Sequence, residues 1–147
     1  MLHHRLRKNL SRSVQGVPFT TNSLGLRDRE YPPPRPDGVF RILMLGDSFT
    51  EGAGLPIDET VAKRSERLLT TTCAGAYEVV NAGTGSYSPI LEYLQLKHVG
   101  LALAPDLVVL NFDMTDVHDD YIRTLLATFD SAGLPLAVDP DRRREAA

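Results

Sequence analysis

Ser48 lies in the stretch Arg41–Gly52, RILMLGDSFTEG, where a run of apolar side chains turns abruptly into small and polar ones. A loop that brings backbone close to a ligand favours glycine, and a loop that does chemistry needs a nucleophile beside it. This stretch has both. Backbone N–H groups at such a turn can hold an oxyanion while the hydroxyl reaches a carbonyl. Acyl transfer at Ser48 would also need a base to activate the hydroxyl and further donors for the tetrahedral intermediate. Without any chemistry, the same serine reads as a helix cap.

The elements around Ser48 alternate. Val39–Leu45 (VFRILML) is a short apolar run suited to a buried strand. Asp58 reads as the N-cap of a helix through ETVAKRSERLLTTT. YEVVNAG, from Tyr77, is a second strand. Ser88 and Pro89 set the N-cap and first position of a helix through ILEYLQLKHVGLAL, closed by Pro105. DLVVLNF, Asp106–Phe112, is a third buried strand. DDYIRTLLATFD reads as a short helix or as a strand entering a hairpin at SAG, and DPDRRREAA as a frayed end.

Strand, helix, strand, helix, strand predicts an α/β fold with a parallel sheet covered on both faces, the first strand in the middle. In such sheets ligands sit beyond the carboxyl ends of the strands. The three strand ends are GDSFTEG, NAGTGSYS and DMTDVHDD, all rich in glycine, hydroxyl and carboxylate groups. Each alone is compatible with a plain βα loop. Their coincidence points to one site.

Residues 1–36 read as an extended arm ending in the linker YPPPRP, and residues 37–147 as the domain. With 42% hydrophobic and 24% charged residues, the 147-residue chain has the make-up of one modest globular domain. A net charge of -3 argues against a nucleic-acid partner. No span approaches the roughly 20 apolar residues of a membrane helix, and no apolar stretch follows MLHHRLRKNLSRS to make a signal peptide. The lone cysteine, Cys73, reads as inert packing near a helix end.

The chain has four histidines, His3, His4, His98 and His118. His118 follows the third strand and is placed to act as a base, with Asp116 or Asp119 orienting it. The plainer reading is an exposed histidine in a loop or at a helix start. The acidic run DMTDVHDD lacks the spacing, central glycine and closing glutamate of an EF-hand loop. Its carboxylates read as helix caps, and no metal site is expected.

LGDSFTEG, VVNAGTGSYS and PDLVVLNFDMTDVHDD, in this order and spacing, resemble the first three signature blocks of the SGNH or GDSL hydrolase superfamily. The leader NSLGLRD resembles it too, so the likeness spans Thr21 to Asp120. The resemblance implies a flavodoxin-like three-layer α/β/α sandwich, without cofactor, that hydrolyses carboxylic esters of lipid, carbohydrate or other small-molecule alcohols. It places Ser48 at the nucleophile and makes its N–H an oxyanion donor. Two positions depart from the pattern. Ser86, preceded by Gly85, stands where the second block has glycine, and Thr115 stands where the third has asparagine. These are the oxyanion-hole candidates, and the three loops are expected to converge at one sheet edge. The family's C-terminal Asp-x-x-His block has no counterpart, so the domain is expected to be incomplete at its C-terminus and weakly active or inactive alone. Two readings stand: a serine esterase domain, or a degenerate, non-catalytic ligand-binding or interaction domain.

Overall fold

The computed structural model describes residues 2–32 and 34–140. Among them, β1 (Ser11–Val14) and β2 (Val17–Thr20) form a hairpin. Three parallel strands follow: β3 (Val39–Leu45), β4 (Ala76–Asn81) and β5 (Leu107–Leu110). Their order in the sheet is β4-β3-β5, with β3 central as expected. The helices are α1 (Ser48–Glu51), α2 (Val61–Thr72), α3 (Pro89–His98) and α4 (Met114–Leu126). A second antiparallel pair, β6 (Ala127–Phe129) and β7 (Pro135–Val138), closes the described chain.

The alternation of β3 explains the two covered faces of the sheet. Ile42 and Met44 point to one face and pack with Val79 and with Ala62 and Leu69 of α2. Leu43 and Leu45 point to the other and pack with Val80, Leu96 of α3, Val99 and Leu103. The outer strand β5 is less covered, and Leu107, Val108 and Leu110 stay exposed.

Two helix limits differ from the expected ones. The cap of α2 is Thr60, which accepts from Lys63 N–H, because Ile57–Glu59 forms a 3-10 turn of its own after Pro56. The second helix stops at His98, and Gly100–Leu103 continues as a 3-10 turn before Pro105. The segment after β5 contains both of the forms expected there, helix α4 and then the β6–β7 hairpin. Of the frayed C-terminal stretch, residues 141–147 lie outside the described residues.

The leader departs most from expectation. Residues 1–36 are not merely an extended arm, because much of the segment packs into the domain. The Asn22 carboxamide oxygen accepts from the N–H groups of Leu24 and Leu26, folding NSLGL into a tight turn. Leu26 and Tyr31 then enter the core beside Leu43 and Leu45. Asp28 accepts from Asn81 N–H at 2.8 Å and pairs with the buried Lys63 ammonium at 2.9 Å. Lys63 also donates to Tyr31 Oη and to the Val79 carbonyl, so leader, α2 and β4 share one polar knot.

Arg27 is 1% exposed. Its guanidinium donates to the carbonyls of Glu51 at 2.9 Å, Gly52 at 2.5 Å and Leu55 at 2.6 Å. Phe19 of β2 covers it, with the ring centroid 4.7 Å away. These carbonyls terminate α1, which a single turn could not hold by itself. Arg27→Gln removes the charge and most of these bonds. The variant should lose about 3 kcal/mol or more in urea unfolding. A loss below about 1 kcal/mol would show that α1 holds its place without Arg27.

Candidate active site at the strand ends

The sheet is zipped beyond its strands, and this sets the geometry around Ser48. Ala82 N–H donates to the Met44 carbonyl and Thr84 N–H to the Gly46 carbonyl. On the other side Asn111 N–H donates to the Leu45 carbonyl. The loops after β4 and β5 therefore flank the loop after β3. Asp47 caps α1 by accepting from Phe49 N–H at 2.8 Å, which leaves Ser48 as the first residue of the helical turn.

Close approach requires glycine at two of these positions. A Cβ on Gly46 would overlap Thr50 Oγ1. A Cβ on Gly83 would overlap Glu51 N and sit 2.7 Å from Glu51 Cα. The β4 loop thus lies directly against the backbone of α1. Asn81, wholly buried, braces the contact by accepting from Gly83 N–H and donating to the Glu51 carbonyl. From the β5 side Asn111 donates to Thr50 Oγ1 at 2.9 Å.

Gly85 of the second loop lies close to Ser48: a Cβ there would be 3.9 Å from Ser48 Cβ. Ser86 follows with φ of 61°, in the left-handed region that favours glycine. Its side chain is exposed. The N–H groups of Ser48 and Ser86 make no hydrogen bond among the described residues. Thr115 differs. Its hydroxyl and its N–H both donate to the Asp113 carboxylate, each at 2.6 Å. Thr115 is engaged in the capping box of α4, where Asp116 returns a bond from Asp113 N–H. His118 lies exposed on α4, and its imidazole makes no hydrogen bond among the described residues. Cys73 is the exposed C-cap of α2, not a packed side chain.

The structure adds carboxyl groups that motif reading did not single out. Glu51 is buried; its carboxyl is pushed up by burial, opposed by Arg27 and by a bond from Gly85 N–H. Glu92 on α3 is 0% exposed, and neither carboxyl oxygen has a hydrogen-bond partner among the described residues. Burial first, then the nearby Asp116, Asp47, Asp120 and Asp113, raise its pKa to about 8. Asp116 is also raised, chiefly by burial. Asp113 is held below the usual carboxylate range, chiefly by the two donors of Thr115. The signal for Glu92 was present in ILEYLQL, an acid inside an apolar helical run. No group of three or more metal-ligating side chains among the described residues is arranged to hold a metal ion.

No protein-family model, curated protein or solved structure matches this chain.

Two outcomes follow from this geometry. Ser86→Gly relieves a left-handed side chain and should raise stability by about 0.5–1 kcal/mol in urea unfolding; a destabilised variant would mean that the serine is needed where it stands. Glu92 is neutral in the fold, whereas the unfolded chain ionises it near a pH of about 4.3. Folding therefore takes up a proton: this contribution is complete below about 4.3 and is lost as pH rises through about 8. Glu92→Gln should remove that part of the alkaline decline and raise the melting temperature at pH 8. A melting curve with unchanged pH dependence would contradict a buried neutral Glu92.

Proposed function

We propose that this chain carries an SGNH- or GDSL-type serine esterase site in a flavodoxin-like α/β/α domain. The substrate is a carboxylic ester of a lipid, carbohydrate or other small-molecule alcohol. The observation that carries this reading is the packing of the loop after β4 onto the one-turn helix that begins at Ser48. It brings Gly85 beside Ser48 and leaves the Ser48 and Ser86 N–H groups without partners among the described residues.

In this reading the Ser48 hydroxyl attacks the acyl carbonyl and forms a C–O bond. The carbonyl π pair moves to oxygen, and the resulting oxyanion is met by the N–H groups of Ser48 and Ser86. Collapse expels the alcohol and leaves an acyl-serine, which water then hydrolyses. The attack needs a base for the hydroxyl proton, and no hydrogen bond joins Ser48 to a histidine among the described residues. A hydroxyl without a base is a weak nucleophile at neutral pH. Thr115, bonded twice to Asp113, is not free to donate in this arrangement. Both features favour the second reading, a degenerate domain that binds an ester or sugar without turning it over. No helix among the described residues is long and apolar enough to cross a membrane.

Hydrolysis of a short activated acyl ester distinguishes the two readings. The esterase reading expects slow turnover, since a missing oxyanion donor alone costs about 10²–10³ in rate, and Ser48→Ala, which takes away the nucleophile, should remove it. Fast, Ser48-dependent turnover would require a base in this chain, and His118→Ala should then abolish it. Turnover equal in wild type and Ser48→Ala would reject a serine nucleophile.

A further inference from the structure

The first residues of the chain reach the loop after β4. His4 Nε2 lies 2.8 Å from the Gly85 carbonyl oxygen. His4 Nδ1 lies 2.9 Å from His3 Nδ1. His3 Nε2 lies 3.3 Å from an Arg123 guanidinium nitrogen, and a second nitrogen of Arg123 reaches the Ser86 carbonyl at 3.4 Å. Tyr87 closes the contact: its hydroxyl donates to the His4 carbonyl at 2.7 Å and its ring meets the His4 ring edge-on.

Both ends of this chain of bonds have a fixed direction. A carbonyl only accepts, so His4 Nε2 carries a hydrogen. A guanidinium only donates, so His3 Nε2 is bare. His3 then has its hydrogen on Nδ1 and donates it to a bare His4 Nδ1. One arrangement satisfies all three contacts: two neutral rings in opposite tautomers. A second proton fits neither ring. On His3 Nε2 it would face Arg123, and on His4 Nδ1 it would face the His3 N–H.

We propose that His4, held by His3 and Arg123, is a positioning residue for the loop that carries the Ser86 N–H. The N-terminal segment clasps that loop while both imidazoles are neutral and releases it on acidification. Only the use of the loop as an oxyanion donor rests on the esterase reading; the clasp does not.

The charges around the pair act in both directions. Arg123 of α4 and His4 oppose a charge on His3, as does burial, while Asp139 just after β7 favours it. Arg5 lies near Tyr87. Asp120 of α4 is engaged by Ile90 N–H at the start of α3. The balance leaves His3 below its ordinary value, with burial the largest cause. The sign follows. The released segment binds a proton near pH 6.5, and the clasped one only at lower pH. The clasp is therefore at full strength above about 6.5 and weakens as pH falls below it.

The test uses the full chain labelled with nitrogen-15. Ring-nitrogen NMR at pH 7.5 should show His3 with its hydrogen on Nδ1 and His4 with its hydrogen on Nε2. Two rings both protonated on Nε2 would overturn the proposal, and this measurement needs no variant. Tyr87 N–H, bonded to the Thr84 carbonyl at 3.1 Å, reports the order of the loop. Corrected for intrinsic exchange, its protection should fall between pH 7.5 and 5.5, by up to about tenfold. In His3→Gln, whose amide can still accept from Arg123 and donate to His4 but does not titrate, the fall should vanish. Protection independent of pH in the wild type, or the same fall in His3→Gln, would also overturn it. Ser48→Ala should leave every one of these readouts unchanged, so an inactive serine and a missing clasp give different results.

Discussion

A buried guanidinium holding three carbonyls is the contact on which the candidate site depends. The helix that begins at Ser48 has four residues. A single turn fixes several dihedral angles for very few hydrogen bonds and does not persist in isolation. Here its carbonyl end is gripped by Arg27 through Glu51, Gly52 and Leu55. Its flank is pressed by Gly83, and its side chain at Thr50 is tied to Asn111. Arg27 can stay buried and charged because three carbonyls converge on it, Glu51 and Gly52 at the end of α1 and Leu55 just beyond it. Its two terminal nitrogens gain acceptors and the helix end gains donors, while Arg27 Nε stays buried without a partner among the described residues. The β1–β2 hairpin belongs to the same arrangement, because Phe19 shields the guanidinium.

A second constraint runs beneath the site along α3. Ser88, Glu92 and Gln95 fall on one helical stripe and are almost fully buried. Ser88 Oγ, both Glu92 oxygens and Gln95 Oε1 have no partner among the described residues, and neither does Asp116 Oδ1. A stripe chosen for stability alone would be apolar at these positions, as the buried Leu91 and Leu94 of the same helix are. Such local violations of packing rules concentrate where a protein performs a task. A neutral Glu92 is the least costly way to keep an unpaired carboxyl there, since an isolated buried carboxylate would be far less favourable than a protonated one.

Much of the central sheet was legible, because each strand is a short apolar run bounded by glycine, proline or polar residues. Val39–Leu45, YEVVNAG and DLVVLNF give β3, β4 and β5, and the spacing between them is enough only for a helical crossover. The placement of Ser48 at the end of β3 followed from the same pattern. The role of the leader was not legible. Arg27 acts on carbonyls 24 to 28 residues away, and Asp28 acts on Asn81 53 residues away. No local period encodes such contacts, and a proline run beside them suggested a linker. The site was only partly legible for a similar reason. The type of residue at 86 and 115 was visible, but not the left-handed backbone of Ser86 or the engagement of Thr115 by Asp113. His3 and His4 fell in the segment read as an extended arm, and only the fold brings His4 to Gly85.

The carboxyl groups around Ser48 bear on the proposed chemistry as well as on the fold. An oxyanion forming beside Ser48 would feel the adjacent Asp47, with which Asp113 and Asp116 interact, and negative charge at short range opposes it. Backbone donors must then offset a field that the surrounding side chains make unfavourable. Each acid held neutral lowers that opposition. Glu92, pushed up to about 8, contributes little negative charge at neutral pH. Asp113 is pushed the other way, because the two donors of Thr115 favour its ionised form. The same negative surroundings would favour a positively charged group placed near Ser48. A histidine acting as base gains a charge when it takes the serine proton, so these carboxylates would stabilise it after proton transfer. The acids that disfavour the oxyanion therefore favour the imidazolium formed with it. A site with this distribution of charge depends on such a base more than one built from neutral donors alone.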